Sequence, residues 1–230
     1  MSTYLVTGSN RGIGLTFVKS LLTRGDRVVA TCRNRSKASD LTALQNEHPA
    51  LEILELDVAD AASLDSFPAR LGDTAIDVFI SNAGVYGPRG ANFGNLSGAD
   101  WEPVLLVNAV APVLLTQLIM DNLRQGSDRK LIYITSKMGS IDDNGGGGQY
   151  VYRSSKAALN AAVKSLSIDL ADDGFNVLLL HPGWVQTDMG GPSALIDTGT
   201  SVDGMLQLID QLGPAQNGQF LAYDGKQIPW

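Results

Sequence analysis

Cysteine is nearly absent: Cys32 stands alone in 230 residues, so no intrachain disulfide can form and a reducing, cytoplasmic setting is expected. Histidine is almost as scarce. With only His48 and His181 beside that lone thiol, no zinc-ligand spacing exists and no metal site is expected. Positive charge is short too: 17 Lys and Arg face 24 Asp and Glu, a net charge of −7 without runs of like charge, which argues against a nucleic-acid partner. No apolar run approaches the length of a membrane span, and the first residues lack the basic and apolar regions of a secretion signal. Repeats, linkers and low-complexity stretches are missing as well, so residues 1–230 are expected to form one domain. A hydrophobic fraction of 44% and a charged fraction of 18% suit a globular protein with a large core.

What is present is an alternation of short apolar runs with amphipathic ones. Tyr4–Val6 reads as a strand. It runs through Thr7-Gly8-Ser9-Asn10-Arg11-Gly12-Ile13-Gly14 into a helix over Leu15–Leu22 that stops at Arg24-Gly25. Strand, glycine turn and helix together make the context of a dinucleotide-phosphate loop: Gly8 for the turn, Gly12 for close backbone approach, Gly14 for helix-on-strand packing. A plain strand-to-helix turn is the alternative. A second strand, Arg27–Cys32, ends at Cys32-Arg33-Asn34 with no carboxylate where an acid would select an unphosphorylated ribose. Arg33, with Arg11 from the glycine loop, therefore favours NADP over NAD, unless both are only solvated surface arginines.

The alternation continues with a helix-like Ser36–His48 and a third strand, Leu51–Leu56. Asp57-Val58 lies at its carboxyl end, where the aspartate could meet adenine, or cap the helix that begins near Ala61. A fourth strand, Ile76–Ile80, leads to Ser81-Asn82-Ala83-Gly84 and a loop over Val85–Gly98. Ala99–Arg124 reads as one long helix in which Pro112 deprives the Asn108 carbonyl of its partner. The freed carbonyl would suit an ordered water; a simple packing kink is the alternative. Lys130–Thr135 is a fifth strand, ending at Ser136-Lys137-Met138. The run Gly145–Gly148 precedes Tyr150, which opens a helix to Leu170 that carries Tyr152 and Lys156 four residues apart and so on one face. An ammonium beside a phenol, whose ordinary pKa is about 10, favours the phenolate and equips the pair to exchange a proton. A sixth strand, Asn176–His181, breaks at Pro182-Gly183-Trp184. Residues 184–200 are a candidate substrate cover, Ser201–Leu212 a last helix and Gln219–Tyr223 a last strand. The pattern predicts an α/β fold: a doubly wound parallel sheet of about seven strands with helices on both faces.

Thr7-Gly8-x-x-x-Gly12-x-Gly14, Asp57-Val58, Asn82-Ala83-Gly84, Asn108, Ser136, Tyr152-x-x-x-Lys156 and Pro182-Gly183 with Thr187, in that order, resemble the short-chain dehydrogenase/reductase family over nearly the whole chain. Within it, His181–Gly191, Thr31–Asn34 and Pro229-Trp230 are similar to the C-factor-like and sniffer-like carbonyl reductases. The resemblance implies a single-domain Rossmann-type fold, NADP(H) as cofactor, a small-molecule carbonyl substrate and a homo-oligomer, dimer or tetramer, built through the two central long helices. Tyr152 would be the general acid/base, Lys156 would lower its pKa, Ser136 would hold the substrate carbonyl, and Asn108 would hold a water leading to Lys156. The cofactor would meet Gly8, Ser9, Asn10, Arg11, Gly12, Ile13, Gly14, Arg33, Asp57, Val58, Asn82, Ala83, Gly84, Tyr152, Lys156, Pro182, Gly183, Val185 and Thr187. Lys137, Met138, Tyr150, Trp184 and Met189 are candidates for the substrate wall. The residue before Asn82 is Ser81 where the family usually has asparagine, and Tyr152 follows Ser136 at a long interval. The alternative function is a C-factor-like signalling protein in which nucleotide binding matters more than turnover.

Overall fold

Strict alternation along each strand sends Tyr4 and Val6 to one side of a sheet and Leu5 to the other, and the same holds for Val78 and Ile80 against Phe79, and for Ile132 and Ile134 against Leu131 and Tyr133. Both faces are therefore apolar, the mark of a sheet covered on both sides. In the computed structural model, which describes all 230 residues, the elements run β1 (Thr3–Val6), α1 (Gly12–Thr23), β2 (Arg27–Cys32), α2 (Ser39–Glu47), β3 (Leu51–Glu55), α3 (Ala61–Asp65), α4 (Phe67–Leu71) and β4 (Val78–Ser81). Then come α5 (Gly98–Leu105), a π turn over Leu106–Val110, α6 (Ala111–Leu118), α7 (Met120–Gln125), β5 (Lys130–Ile134), α8 (Tyr150–Asp169), β6 (Asn176–His181), α9 (Thr198–Gln211) and β7 (Gln219–Ala222).

The seven strands are all parallel, in the order β3-β2-β1-β4-β5-β6-β7. One core of 26 buried residues joins the sheet to α1, α2 and α9; a second, of 22, joins it to α3, α4, α6, α7 and α8. The order reverses between β1 and β4, and ligands of such sheets bind in the crevice outside the carboxyl ends there.

Three expectations need correction. The long helix over Ala99–Arg124 is not one regular helix: it widens into the π turn at Leu106–Val110 and breaks at Ile119. The N–H of Ala111 reaches back five residues to the Leu106 carbonyl. Second, the cap of α3 is Asp60, whose side chain accepts from the Ala62 N–H, while Asp57 makes a local turn to the Ala59 N–H. Third, Gly98–Leu118 is, by length and composition alone, apolar enough to cross a membrane, contrary to the reading that no such run exists; here it lies against α8 as part of the fold.

Candidate active site

A cavity of about 1080 Å³ opens along the carboxyl ends of β1 to β6. Its near wall is the glycine loop. Gly8 lies at φ +68°, where a side chain would be strained and its Cβ would stand 2.9 Å from the Ala83 Cα. Asn82 fixes the loop from below: its Nδ2 donates to the Thr7 and Gly8 carbonyls, and Thr7 Oγ1 accepts from the Asn82 and Ala83 N–H groups. The first turn of α1 has no acidic residue and no side-chain cap, which leaves its N–H groups free to receive an anion. At the end of β2, Arg33 and Lys37 both line the cavity.

The far floor is made by α8. Its buried residues Val151, Tyr152, Ser155, Lys156, Leu159, Asn160, Val163 and Ser167 trace one helical stripe, and five of them are polar. A stripe with that many polar groups turned inward is not built for packing alone. Tyr152 is 8% exposed and Lys156 5%, and both face the cavity. The Lys137–Gly139 turn lies directly on this part of the helix: a Cβ at Gly139 would come within 2.9 Å of Lys156. From the other side Asn108, fully buried, is locked by its own side chain. Its Oδ1 accepts from Val85 N–H at 2.9 Å, and its Nδ2 donates to the Val85 carbonyl at 2.7 Å and to Ser155 Oγ at 3.0 Å.

The electrostatics reverse one expectation. Lys156 Nζ donates to the Ile134 carbonyl at 3.0 Å and lies 6.0 Å from the centre of the Tyr152 ring. No carboxylate is paired with it. Burial alone lowers the Lys156 pKa to about 8. Burial likewise pushes the Tyr152 phenol up to about 12, the Ser136 hydroxyl pulling it down and Tyr86 adding to the rise. In this arrangement Lys156 therefore does not produce a phenolate; Tyr152 keeps its proton at neutral pH.

The cavity gathers most of the predicted residues. Gly8, Asn10, Arg11, Gly12, Ile13, Gly14, Arg33, Asp57, Val58, Asn82, Ala83, Gly84, Pro182, Thr187 and Met189 line it beside Tyr152 and Lys156. Ser9 does not: it is buried, its hydroxyl donating to the Val6 carbonyl. Arg11 pairs with Asp188 at 2.6 Å. Val185 is buried in a bridge to Ile196. Lys137, Gly183 and Trp184 belong to a different cavity, and Met138 and Tyr150 line neither. Ser136 is not among the lining residues; its hydroxyl lies against the Tyr152 phenol and caps the Lys137–Gly139 turn by accepting from the Met138 N–H. The aromatic partner of Tyr152 is Tyr86, stacked on it at 4.6 Å and held by a hydrogen bond to Gln149. Tyr86 and Lys37 were missed; an aromatic two residues beyond Asn-Ala-Gly, and a second cation after the β2 arginine, are the signals that could have found them.

Residues 2–195 match the short chain dehydrogenase family. The chain belongs to that family. Membership makes it an oxidoreductase. C-signal of Myxococcus xanthus is 49% identical over 165 residues, 72% of this chain and 99% of that protein. Among solved structures, the carbonyl reductase Sniffer of D. melanogaster superposes on this short-chain dehydrogenase with a TM-score of 0.93 at 38% identity, each chain covered completely. The NADPH-bound carbonyl reductase from chicken fatty liver does so at 0.92 and 36%, covering 100% of this chain and 99% of that one.

Proposed function

We propose that this short-chain dehydrogenase is an NADP(H)-dependent carbonyl reductase with Tyr152 as its proton donor. The observation that carries the reading is the buried Tyr152 phenol and the buried Lys156 amine side by side on the floor of the cavity that the glycine loop walls. The cavity fits such a cofactor: the open N-terminus of α1 suits a pyrophosphate, and Arg33 with Lys37 suit a 2′-phosphate. Asp57 and Val58 would meet the adenine, Lys156 the ribose hydroxyls nearest the reaction, and Pro182 and Thr187 the nicotinamide end. The cofactor supplies the hydride.

The chain's own residues handle the proton. An alkoxide is the conjugate base of a group about as weakly acidic as water, pKa about 15.7. A phenol held at about 12 is thus acid enough to protonate it while staying protonated until charge develops. Ser136 holds the carbonyl oxygen toward the phenol. Lys156, half-ionised near pH 8, supplies positive charge without a carboxylate to neutralise it. Asn108 is a positioning residue that fixes Val85 and the first turns of α8.

The test is NADPH oxidation against a panel of aldehydes, ketones and quinones. Tyr152→Phe should lower turnover by about 10²- to 10⁴-fold, the usual range for a lost general acid; no turnover by wild type, or full rate in the variant, would rule the reading out. Arg33→Ala should weaken NADPH binding far more than NADH binding in parallel titrations, and equal losses would remove the 2′-phosphate assignment. The identity to C-signal favours a second reading, a signalling role carried by nucleotide binding. It predicts that Tyr152→Phe restores the phenotype of a deletion strain as well as wild type does, whereas a catalytic role predicts that it fails.

A further inference from the structure

A second cavity, of about 430 Å³, lies outside the carboxyl ends of β6 and β7 and shares no lining residue with the catalytic one. Its size falls within the range of small-molecule sites. At its wall stands His181, the last residue of β6. The His181 main-chain carbonyl is satisfied by the Tyr223 N–H, but its buried Nδ1 has no partner. Burial, and after it the charge of Lys137, hold the imidazole pKa down at about 4, with Asp224 and Asp143 opposing weakly. At neutral pH it is uncharged, so one ring nitrogen donates and the other accepts.

Part of the remaining wall is apolar. Trp184, Leu195, Ile196, Ile228 and Pro229 line the space, and Leu195 is 78% exposed. Two cations reach it, but each is closed by its own carboxylate: Lys137 by Asp143 at 3.0 Å and Lys226 by Asp224 at 2.7 Å. The wall contributed by the C-terminal tail is anchored. Gln227 bridges Leu221, and the Trp230 carbonyl accepts from the Asp142 N–H at 3.0 Å and from Ser140 Oγ at 3.3 Å. An unpartnered neutral imidazole, an apolar surround and a rim of cancelled charges select against ionised ligands.

We propose that this cavity is a binding site, separate from the catalytic one, for an uncharged amphipathic small molecule whose hydroxyl or amide meets His181 and whose aromatic or aliphatic body lies on Trp184, Ile196, Ile228 and Pro229. The site stands independently of the reaction proposed above, and its test reads binding rather than turnover. Benzamide, benzoate and benzylamine share one apolar body and differ in charge; each is titrated into the full chain while the imidazole NMR signals of its two histidines are followed. Benzamide should shift the His181 signals saturably and leave His48 unmoved, with a Kd at least fivefold below those of the charged analogues. Ala222→Leu, which adds bulk to the wall, should abolish the shift in a protein whose circular dichroism is unchanged, and His181→Phe should weaken benzamide binding read by tryptophan fluorescence. Saturating NADPH should leave the benzamide Kd within twofold. The proposal is overturned by unmoved His181 signals, by equal affinity for the ionised probes, by an Ala222→Leu protein that still binds, or by displacement with NADPH.

Discussion

Two helical stretches meet at the floor of the larger cavity, and they are built differently. Helix α8 runs unbroken for 20 residues and turns polar side chains inward. The stretch from Gly98 to Gln125 packs beside it but widens at Leu106–Val110 and breaks at Ile119. The regular helix holds reactive groups at a fixed spacing, because i and i+4 recur on one face only while the register holds. The interrupted one gives up that register and turns the Asn108 side chain into the gap between Val85 and Ser155. One stretch presents chemistry; the other braces it.

The largest expected effect breaks the brace. Asn108→Leu removes one buried and two part-buried hydrogen bonds at once. It should cost about 3–5 kcal/mol in urea unfolding, since each polar group left unsatisfied costs about 1–3 kcal/mol. Tyr152→Phe, on the presenting helix, should shift stability by less than about 1 kcal/mol in the same experiment, because it keeps the ring and removes one hydroxyl from a residue of the cavity wall. If the two variants are equally destabilised, the division of labour is wrong.

Lys156→Met should move stability the other way. The folded-state pKa of about 8 lies below the ordinary value of 10.5, so between those pH values the unfolded chain binds more protons and wild-type stability rises with pH. Below pH 8 the buried charge is a constant burden. The variant, freed of it but missing the bond to Ile134, should be more stable by roughly 2 kcal/mol at pH 7, the advantage fading as pH passes 10. A flat difference across that window would deny the burial cost. The smallest effect should come from Pro112→Ala, which returns one N–H to the π turn and should change stability by less than about 1 kcal/mol. Its amide should be slow to exchange with solvent if a main-chain carbonyl takes it up.

The contrast between the two stretches also explains what could be read in advance. The seven strands and the Tyr152/Lys156 pair depend on local periodicity, which a sequence displays directly. The π turn depends on how Pro112 and Asn108 divide the backbone donors between them, and the sequence supports more than one division. Tyr86 reaches Tyr152 only because its hydroxyl is held by Gln149, 63 residues away, from a backbone at φ +52°. The sign of the Tyr152 shift turned on burial and on where Lys156 points, neither of which spacing reveals. The second cavity was invisible because it joins three distant pieces of chain, around Lys137, Trp184 and Ile228.

The contact between Arg11 and Asp188 joins two well-exposed side chains that both line the larger cavity. Such a pair is worth at most about 1 kcal/mol and is weakened by dissolved salt over a screening length of about 8 Å at physiological ionic strength. The hold of Asp188 on Arg11 is therefore set by the electrolyte outside, tighter in dilute buffer than in brine.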